Sequence, residues 1–356
     1  MSEQISGQLL NSLLQKNYGV TACGEPFRLP GEGGQHVFKV GLDNGEAWTV
    51  RLGLALHSKE KLLAEIGVLR FVNQADFPAP RPKTTQTGEV VFEWQPGLWG
   101  YALEYIQGQH PARPVDQSRP GPVLDRVSLA ELGHLLGRLH NLAFSDSDHL
   151  ADSSWLDEVP QAIERAGQAA ANPVWAGQAR EVVATLKGLP LAQLKALPRV
   201  LIHTDAHEGN LLWTPQGELY LLDWENAGVD TAVIDIALVL SWLCSWQPAG
   251  QPAALPEGQP TGQQVKQYDF DEDYCKSFLE NYQQERALTR PERQMLGPAI
   301  QFFDGWFAAR DMQREVAAPG SAGEMAWLNW AFMRSVTPQW ATTLARWAGE
   351  TAPGFS

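Results

Sequence analysis

The spacing of hydrophobic residues changes character along this chain. Residues 8–19 have the texture of a short helix. From Phe27 the apolar residues fall into short β-type runs: Gln35–Val40, Ala47–Leu52, Glu89–Trp94 and Tyr101–Ile106. Asp43-Asn44-Gly45 is a hairpin signal between the first two of these. Ser58–Val72 interrupts the strands as a helix, with Leu62, Ile66, Leu69 and Val72 at helical spacing. Beyond Ser128 the pattern is helical. Ser-Leu-Ala-Glu131 reads as a capping box, and Leu129, Leu132, Leu135, Leu136, Leu139 and Leu142 form a buried stripe. Residues 153–196 read as helix with breaks, Ile234–Trp246 as a buried helix, and 271–315 and 324–348 as helices. Gln109–Pro122 (with four prolines) and the Pro-, Gly- and Gln-rich Gln247–Gln267 offer little to bury and read as linkers or surface loops. No repeat appears. The expectation is an α+β chain of two lobes, a small β-rich part over 1–108 and a larger, mostly helical part over 109–356.

Composition narrows the class. The 356 residues suffice for two lobes, and 44% apolar residues suit a globular protein. No apolar run of about 18 residues exists, so no membrane span is expected. Met-Ser-Glu-Gln-Ile-Ser-Gly lacks the basic-then-apolar texture of a secretory signal. Three scattered cysteines, Cys23, Cys244 and Cys275, suggest reduced thiols in a cytoplasmic protein. A net charge of −14 leaves no basic stripe for nucleic acid. It mildly favours a cationic substrate, although acidic surfaces more often serve solubility. Nothing indicates an oligomeric state.

The chemistry concentrates in His203-Thr-Asp-Ala-His-Glu-Gly-Asn210 and the residues up to Glu225. Asp205 is a carboxylate on a loop. Asn210 opens a β-hairpin with arms Leu211–Trp213 and Glu218–Leu222, joined through Thr214, Gln216 and Gly217. An antiparallel hairpin returns the chain to where it left, so Asp223 is expected beside Asn210. One carboxylate is then free to orient a hydroxyl, and two oxygen donors can chelate a hard cation such as Mg²⁺. That is the arrangement phosphoryl transfer needs. The bland reading is that His203 or Asp205 caps a turn and Asp223 ends a strand. A rival reading gathers His203, Asp205, His207 and Glu208 into a hydrolytic zinc or dinuclear centre. Neighbouring residues of an extended segment diverge, however, and this rival leaves Asn210 unexplained.

The His-x-Asp-x-x-x-x-Asn spacing, the hairpin and the Asp223-Trp224-Glu225 segment resemble the aminoglycoside phosphotransferase/choline kinase family, a relative of protein kinases. The resemblance extends over roughly Gly31–Arg310 and includes the Leu-Gly-Arg-Leu-His140 helix end. It implies a two-lobed protein-kinase-like fold and an ATP- and Mg²⁺-dependent transfer to the hydroxyl of a small molecule. Asp205 would be the base, and Asn210 and Asp223 the metal ligands. The third strand of such a fold carries a phosphate-binding cation paired with a helix acid. Here that cation is Arg51 rather than lysine, with Glu65 as its partner and Glu60 as the fallback; Lys39 is a weaker candidate for the cation. Each could instead be a plain surface charge. The Gly31–Gly34 turn, with Gly33 and Gly34, would lie over the phosphates, and the backbone of Glu104 and Ile106 would meet adenine. Asp235 matches a residue that supports the catalytic loop, and backbone N–H groups around 203–206 are its candidate partners. His203 shares that supporting role. His140, Trp213 and Trp224 read as packing.

The acceptor is less defined. The catalytic loop and Leu-Leu-Asp-Trp-Glu-Asn-Ala-Gly look like choline or ethanolamine kinases. Phe278–Tyr282 with Leu288–Glu292 looks like homoserine kinases, and antibiotic phosphotransferases share the core. No Ala-Pro-Glu element follows Asp223, which disfavours a protein substrate. Phe302–Phe307 with Glu324, Trp327 and Trp330 suggests a small alcohol carrying an amine or quaternary ammonium, held by Asp304 and Trp306, against the bland reading of helix core. The acidic run Asp269–Asp273 reads as solvated surface. A non-catalytic nucleotide-binding regulator is the second functional class, disfavoured by the presence of Asp205, Asn210 and Asp223 together.

Overall fold

The computed structural model describes residues 5–29, 36–53, 58–111, 124–145, 148, 150–153, 155–246 and 269–350. The Gly31–Gly34 turn, including Gly33 and Gly34, and the Gln247–Gln267 stretch lie outside them. So does most of Gln109–Pro122. The chain divides into two compact units. One comprises Met1–Gln109, Phe144–Ala151 and Asn210–Ala227, the other His110–Ala143, Asp152–Gly209 and Gly228–Ser356.

The first unit opens with α1 (Gly7–Tyr18), capped by the Ser6 hydroxyl and closed by left-handed Gly19. It continues with β1 (Phe27–Arg28), β2 (His36–Gly41) and β3 (Ala47–Leu52), then α2 (Lys59–Gln74), β4 (Phe92–Gln95) and β5 (Leu98–Glu104). The sheet is antiparallel in the order β1-β2-β3-β5-β4. Strict alternation sets its faces: β2 and β3 bury every second side chain. Leu10, Leu13, Leu14 and Tyr18 of α1 pack on Phe38, Val40, Val50, Leu52, Phe92 and Ala102. Each Leu, Val or Phe among these contributes about 1.5–3 kcal/mol when fully buried.

In the second unit α3 (Arg126–His140) begins earlier than the capping box suggests. Asp125 is the cap, accepting the Ser128 N–H, and Ser128 lies buried inside the helix with its hydroxyl on Asp125. A carboxylate one turn upstream simply outcompetes the serine. Helices α4 (Val159–Ala169), α5 (Ala176–Gly188) and α6 (Leu191–Lys195) follow, then β6 (Arg199–Ile202). The hairpin strands β7 (Leu211–Trp213) and β8 (Leu219–Leu221) belong to the first unit. Back in the second unit β9 (Gly228–Thr231) pairs with β6, and α7 (Val233–Leu238) passes into a π-helical turn over Val239–Leu243.

The buried helix expected over Ile234–Trp246 therefore ends early. Ser245–Trp246 is instead a strand, β10, paired with β11 (Asp269–Phe270). The acidic run is thus structured: Phe270 is buried, and Asp271 caps α8 (Glu272–Glu285). The expected 271–315 helix is two helices, because Thr289 and Glu292 form a full capping box that starts α9 (Arg290–Ala317) afresh. Helices α10 (Gly323–Ser335) and α11 (Pro338–Glu350) complete the unit. Ala162, Ala166, Val182, Leu186, Ala308, Met312 and Trp330 lie at the heart of its core.

Candidate functional site

In the first unit, Arg51 of β3 stands directly across the sheet from Tyr101 of β5. Glu65 comes from the buried face of α2. Asp223 follows the hairpin. Arg51 Nη1 lies 2.9 Å from Asp223 Oδ1, 3.3 Å from the Tyr101 hydroxyl and 3.5 Å from Glu65 Oε1. The Tyr101 hydroxyl donates to Glu65 Oε1 at 2.6 Å, so its oxygen is left to accept from the arginine. Glu60 makes no such contact with Arg51 and sits at the exposed start of α2. Lys39 lies over the Tyr105 ring at 4.1 Å.

Burial raises the Glu65 carboxyl above its ordinary range, only partly opposed by Arg51 and the Tyr101 hydrogen bond. For Arg51 burial disfavours the cation, but Tyr101, Asp223 and Glu65 outweigh it. The Arg51 side chain is 14% exposed and that of Asp223 35%. Arg51 Nε is buried without a hydrogen-bond partner.

The hairpin closes in register Leu211↔Leu221 through Trp213↔Leu219. Gly217, at φ 81°, supplies the left-handed turn that Gly-rich hairpins require. Leu222 N–H reaches the Asn210 carbonyl at 2.8 Å, which extends the ladder and draws Asp223 toward Asn210. Asp223 itself is left-handed at φ 61°, a strained conformation for a non-glycine residue that surrounding structure must hold. Trp224 supplies part of that hold: its ring is buried edge-on against Phe77, and its N–H bonds the Leu221 carbonyl at 2.8 Å. Glu104 ends β5, its N–H bound by the Arg81 carbonyl, while Ile106 lies past the strand and is half-buried.

In the second unit, β6 delivers His203, Thr204 and Asp205 in succession. His203 is fully buried, and its Nδ1 accepts the Asp205 N–H at 3.2 Å. Thr204 is left-handed at φ 69°. For a β-branched residue that costs on the order of 1–3 kcal/mol. The offset is Asp235, fully buried on α7. Its Oδ2 accepts the His203 N–H at 2.7 Å and its Oδ1 the Thr204 N–H at 2.6 Å, while His140 Nε2 sits 3.0 Å from Oδ2. Burial disfavours the Asp235 charge, yet these donors win and hold its carboxyl below the ordinary range. The Asp205 side chain is 33% exposed, with His207 Nε2 at 3.7 Å.

Among the described residues no group of three or more His, Cys, Asp and Glu side chains is arranged to hold a metal, so the zinc reading has no ligand set. Asn210 and Asp223 are hard oxygen donors of the kind Mg²⁺ takes.

Asp304, on α9, is fully buried. Its Oδ1 accepts the Trp242 N–H at 3.2 Å and its Oδ2 has no hydrogen-bond partner. Burial pushes its carboxyl well up. Trp306 packs on Trp155 at 4.7 Å and donates to Glu158 at 3.1 Å. The guanidinium groups of Arg165 and Arg310 each lie 5.6 Å from its ring centre.

Sequence reading missed Tyr101, Tyr282 and Arg286. The first is visible only once strand register pairs it with Arg51. The second and third stand four apart on α8 and its cap, a spacing that could have flagged them.

A homoserine kinase from Zymomonas mobilis subsp. mobilis is 24% identical over 219 residues, 61% of this chain and 59% of that enzyme. The chain therefore matches less than two thirds of that relative's length. Solved structures with the same fold include a spectinomycin phosphotransferase bound to ADP and spectinomycin (13% identity, TM-score 0.60, 98% of this chain and 100% of that one). An amicoumacin kinase with AMP-PNP and Ca²⁺ also matches (17%, 0.55, 99% and 93%). So does a choline kinase from Cryptosporidium parvum Iowa II (13%, 0.56, 97% and 94%). The α+β, kinase-like architecture is thus that of known phosphotransferases. With a family model matching residues 28–268, through β2, β3, α2, the Asp205 loop and the Asp223 hairpin, the chain belongs to the phosphotransferase enzyme family.

Proposed function

We propose that this protein transfers the terminal phosphoryl group of ATP to the hydroxyl of a small molecule, with Mg²⁺. The observation that carries this reading is the arginine of β3, part-buried and held jointly by a helix carboxylate and by the Asp that follows the Asn210 hairpin. Arginine is permanently charged and can hold phosphate oxygens bidentately. Asn210 and Asp223 would hold the Mg²⁺, which when bound neutralises phosphate charge. Asp205 accepts the hydrogen bond of the acceptor hydroxyl and takes its proton as the oxygen bonds to phosphorus and ADP leaves. Asp235 and His203 keep the Asp205 loop in place. The backbone of Glu104 and Ile106 borders the adenine.

For the acceptor we favour a small alcohol bearing an amine or quaternary ammonium. Asp304 supports this: it is a fully buried acid whose Oδ2 has no hydrogen-bond partner, and Trp242, which bonds its Oδ1, packs with Phe303 and Phe307. Trp306 contributes less, since guanidinium groups already stand near its ring. The test is ADP release from Mg·ATP with homoserine, choline, ethanolamine, spectinomycin and neutral sugars side by side. Turnover with an alcohol bearing an amine or quaternary ammonium is expected. Turnover only with neutral sugars overturns the acceptor class, and nucleotide binding without turnover on any broader alcohol library favours the regulator.

A further inference from the structure

Behind Asp235 runs a buried polar chain that the transfer chemistry itself does not touch. Arg286, just past α8, donates from Nη2 to Glu292 at 2.7 Å and from Nη1 to the Tyr282 hydroxyl oxygen at 3.1 Å. Glu292 is itself fixed by the backbone N–H and hydroxyl of Thr289. The Tyr282 oxygen lies 2.9 Å from His140 Nδ1, and His140 Nε2 lies 3.0 Å from Asp235 Oδ2. Glu292, Tyr282, His140 and Asp235 are all buried.

Counting hydrogens leaves one arrangement. A carboxylate only accepts, so His140 Nε2 must carry a hydrogen toward Asp235. Arginine only donates, so the Tyr282 oxygen accepts from Arg286. The remaining phenolic hydrogen then has one acceptor in reach, His140 Nδ1. The imidazole is therefore neutral, with its proton on Nε2. A doubly protonated ring would turn a second N–H against the tyrosine and strand the phenolic hydrogen in a dry site. Burial, then the charge of Arg286, holds the imidazole below its ordinary pKa against the pull of Asp235 and Glu292, which agrees with the count. Every hydrogen from Arg286 to Asp235 points the same way, so each bond polarises the next.

The helices are built for this contact. A Cβ on Gly133 would lie 2.6 Å from the Phe278 carbonyl, and one on Gly137 2.6 Å from the Tyr282 carbonyl. With two glycines one turn apart, α3 can settle on the backbone of α8, and His140 meets Tyr282.

We infer that Arg286, Tyr282 and His140 are positioning residues that set the proton pattern around Asp235, so that both of its oxygens hold the His203 and Thr204 amides in front of Asp205. The bearing on Asp205 rests on the phosphotransfer reading; the proton pattern does not. The test uses the full chain with ¹⁵N-labelled histidine, the His140 signals being identified by their loss in His140→Gln. The expected spectrum at neutral pH is a neutral ring protonated on Nε2. In Tyr282→Phe the Nδ1 signal should move to that of a nitrogen without a hydrogen bond.

Hydrogen exchange read by mass spectrometry should quicken about five- to tenfold in the peptide containing His203 and Thr204, in both Tyr282→Phe and Arg286→Met. Peptides from α4, α5 and α10 should stay unchanged. His140→Gln can donate to Asp235 and accept from Tyr282, so it should keep the protection that His140→Leu loses. If His140→Leu does not fold, Tyr282→Phe, which removes a single oxygen, decides alone. A ring protonated on Nδ1, or exchange that is unaltered or raised everywhere, would overturn the inference. None of these readouts needs an acceptor, so they stand apart from any failure of the kinase reading.

Discussion

The charged cluster around Arg51 and the network around Asp235 each gather several hydrogen bonds on one charged side chain, yet they are built to opposite ends. In the first, one guanidinium nitrogen serves three acceptors, Nε has none, and Asp223 is partly open to solvent. In the second, the Asp235 carboxylate is wholly buried and accepts three donors, and the imidazole beside it is used on both sides. An under-satisfied cluster can exchange partners cheaply, which suits the phosphate- and metal-binding role proposed for it. A saturated network resists exchange, which suits a part that must not move. Charge is therefore a poor guide to role here, and the count of unmet hydrogen bonds is a better one.

Mutations can break or sharpen this contrast. Asp205→Asn should have the largest catalytic effect, cutting turnover by about 10²–10⁴-fold while calorimetry finds Mg·ATP affinity nearly unchanged. Near-normal turnover would remove Asp205 from the reaction. Asp235→Ala should act on stability instead, since it strands two amides and an imidazole in a dry site. A loss of about 3–5 kcal/mol is expected in urea unfolding, and a change under about 1 kcal/mol would refute the saturated-network picture.

Arg51→Ala and Asp223→Ala should weaken Mg·ATP binding by about 10–100-fold, roughly 1.4–2.8 kcal/mol, with Asn210→Ala milder because it carries no charge. Fold stability should suffer less in these than in Asp235→Ala, and the reverse order would invert the comparison. Asp304→Asn should have the smallest effect, and it acts through pH. The folded-state pKa of Asp304 lies well above its unfolded value. Its contribution is therefore fully present below the unfolded pKa, near 3.9, and lost as pH rises toward the folded one. Asparagine keeps the acceptor for Trp242 and removes that loss. The variant should melt a few degrees above the parent at pH 7, with a smaller gap at pH 4. If amine-alcohol turnover falls at the same time, Asp304 also meets the acceptor.

Much of this was legible beforehand, and the reason is locality. The hairpin arms, Gly217 and the Asn210–Asp223 return follow from turn chemistry within one short segment; helical spacing places the α2 helix, and the family resemblance points to Glu65 on it. What escaped depended on partners distant in sequence or on competition between neighbours. Ser128 carries a proper capping signature, but Asp125 takes the role. Ile234–Trp246 looks like continuous helix, but Ser245–Trp246 finds a strand partner in Asp269–Phe270. Tyr282 sits on the apolar stripe of α8 and reads as core until His140, far away in sequence, is placed beside its oxygen.

The allotment of Asn210–Ala227 to the first unit has a consequence for how this protein is made. The ribosome releases the sheet, α1 and α2 long before the hairpin that joins them. At about 5–20 residues per second, the intervening hundred or so residues keep the first unit waiting roughly 5–20 s for the strands β7 and β8 and for the Asp223 carboxylate. Over that interval Arg51 and Glu65 have only each other and Tyr101. The nascent first unit is therefore a partial fold whose completion depends on translation through most of the helices that precede β6, and slow codons in that stretch would lengthen its exposure.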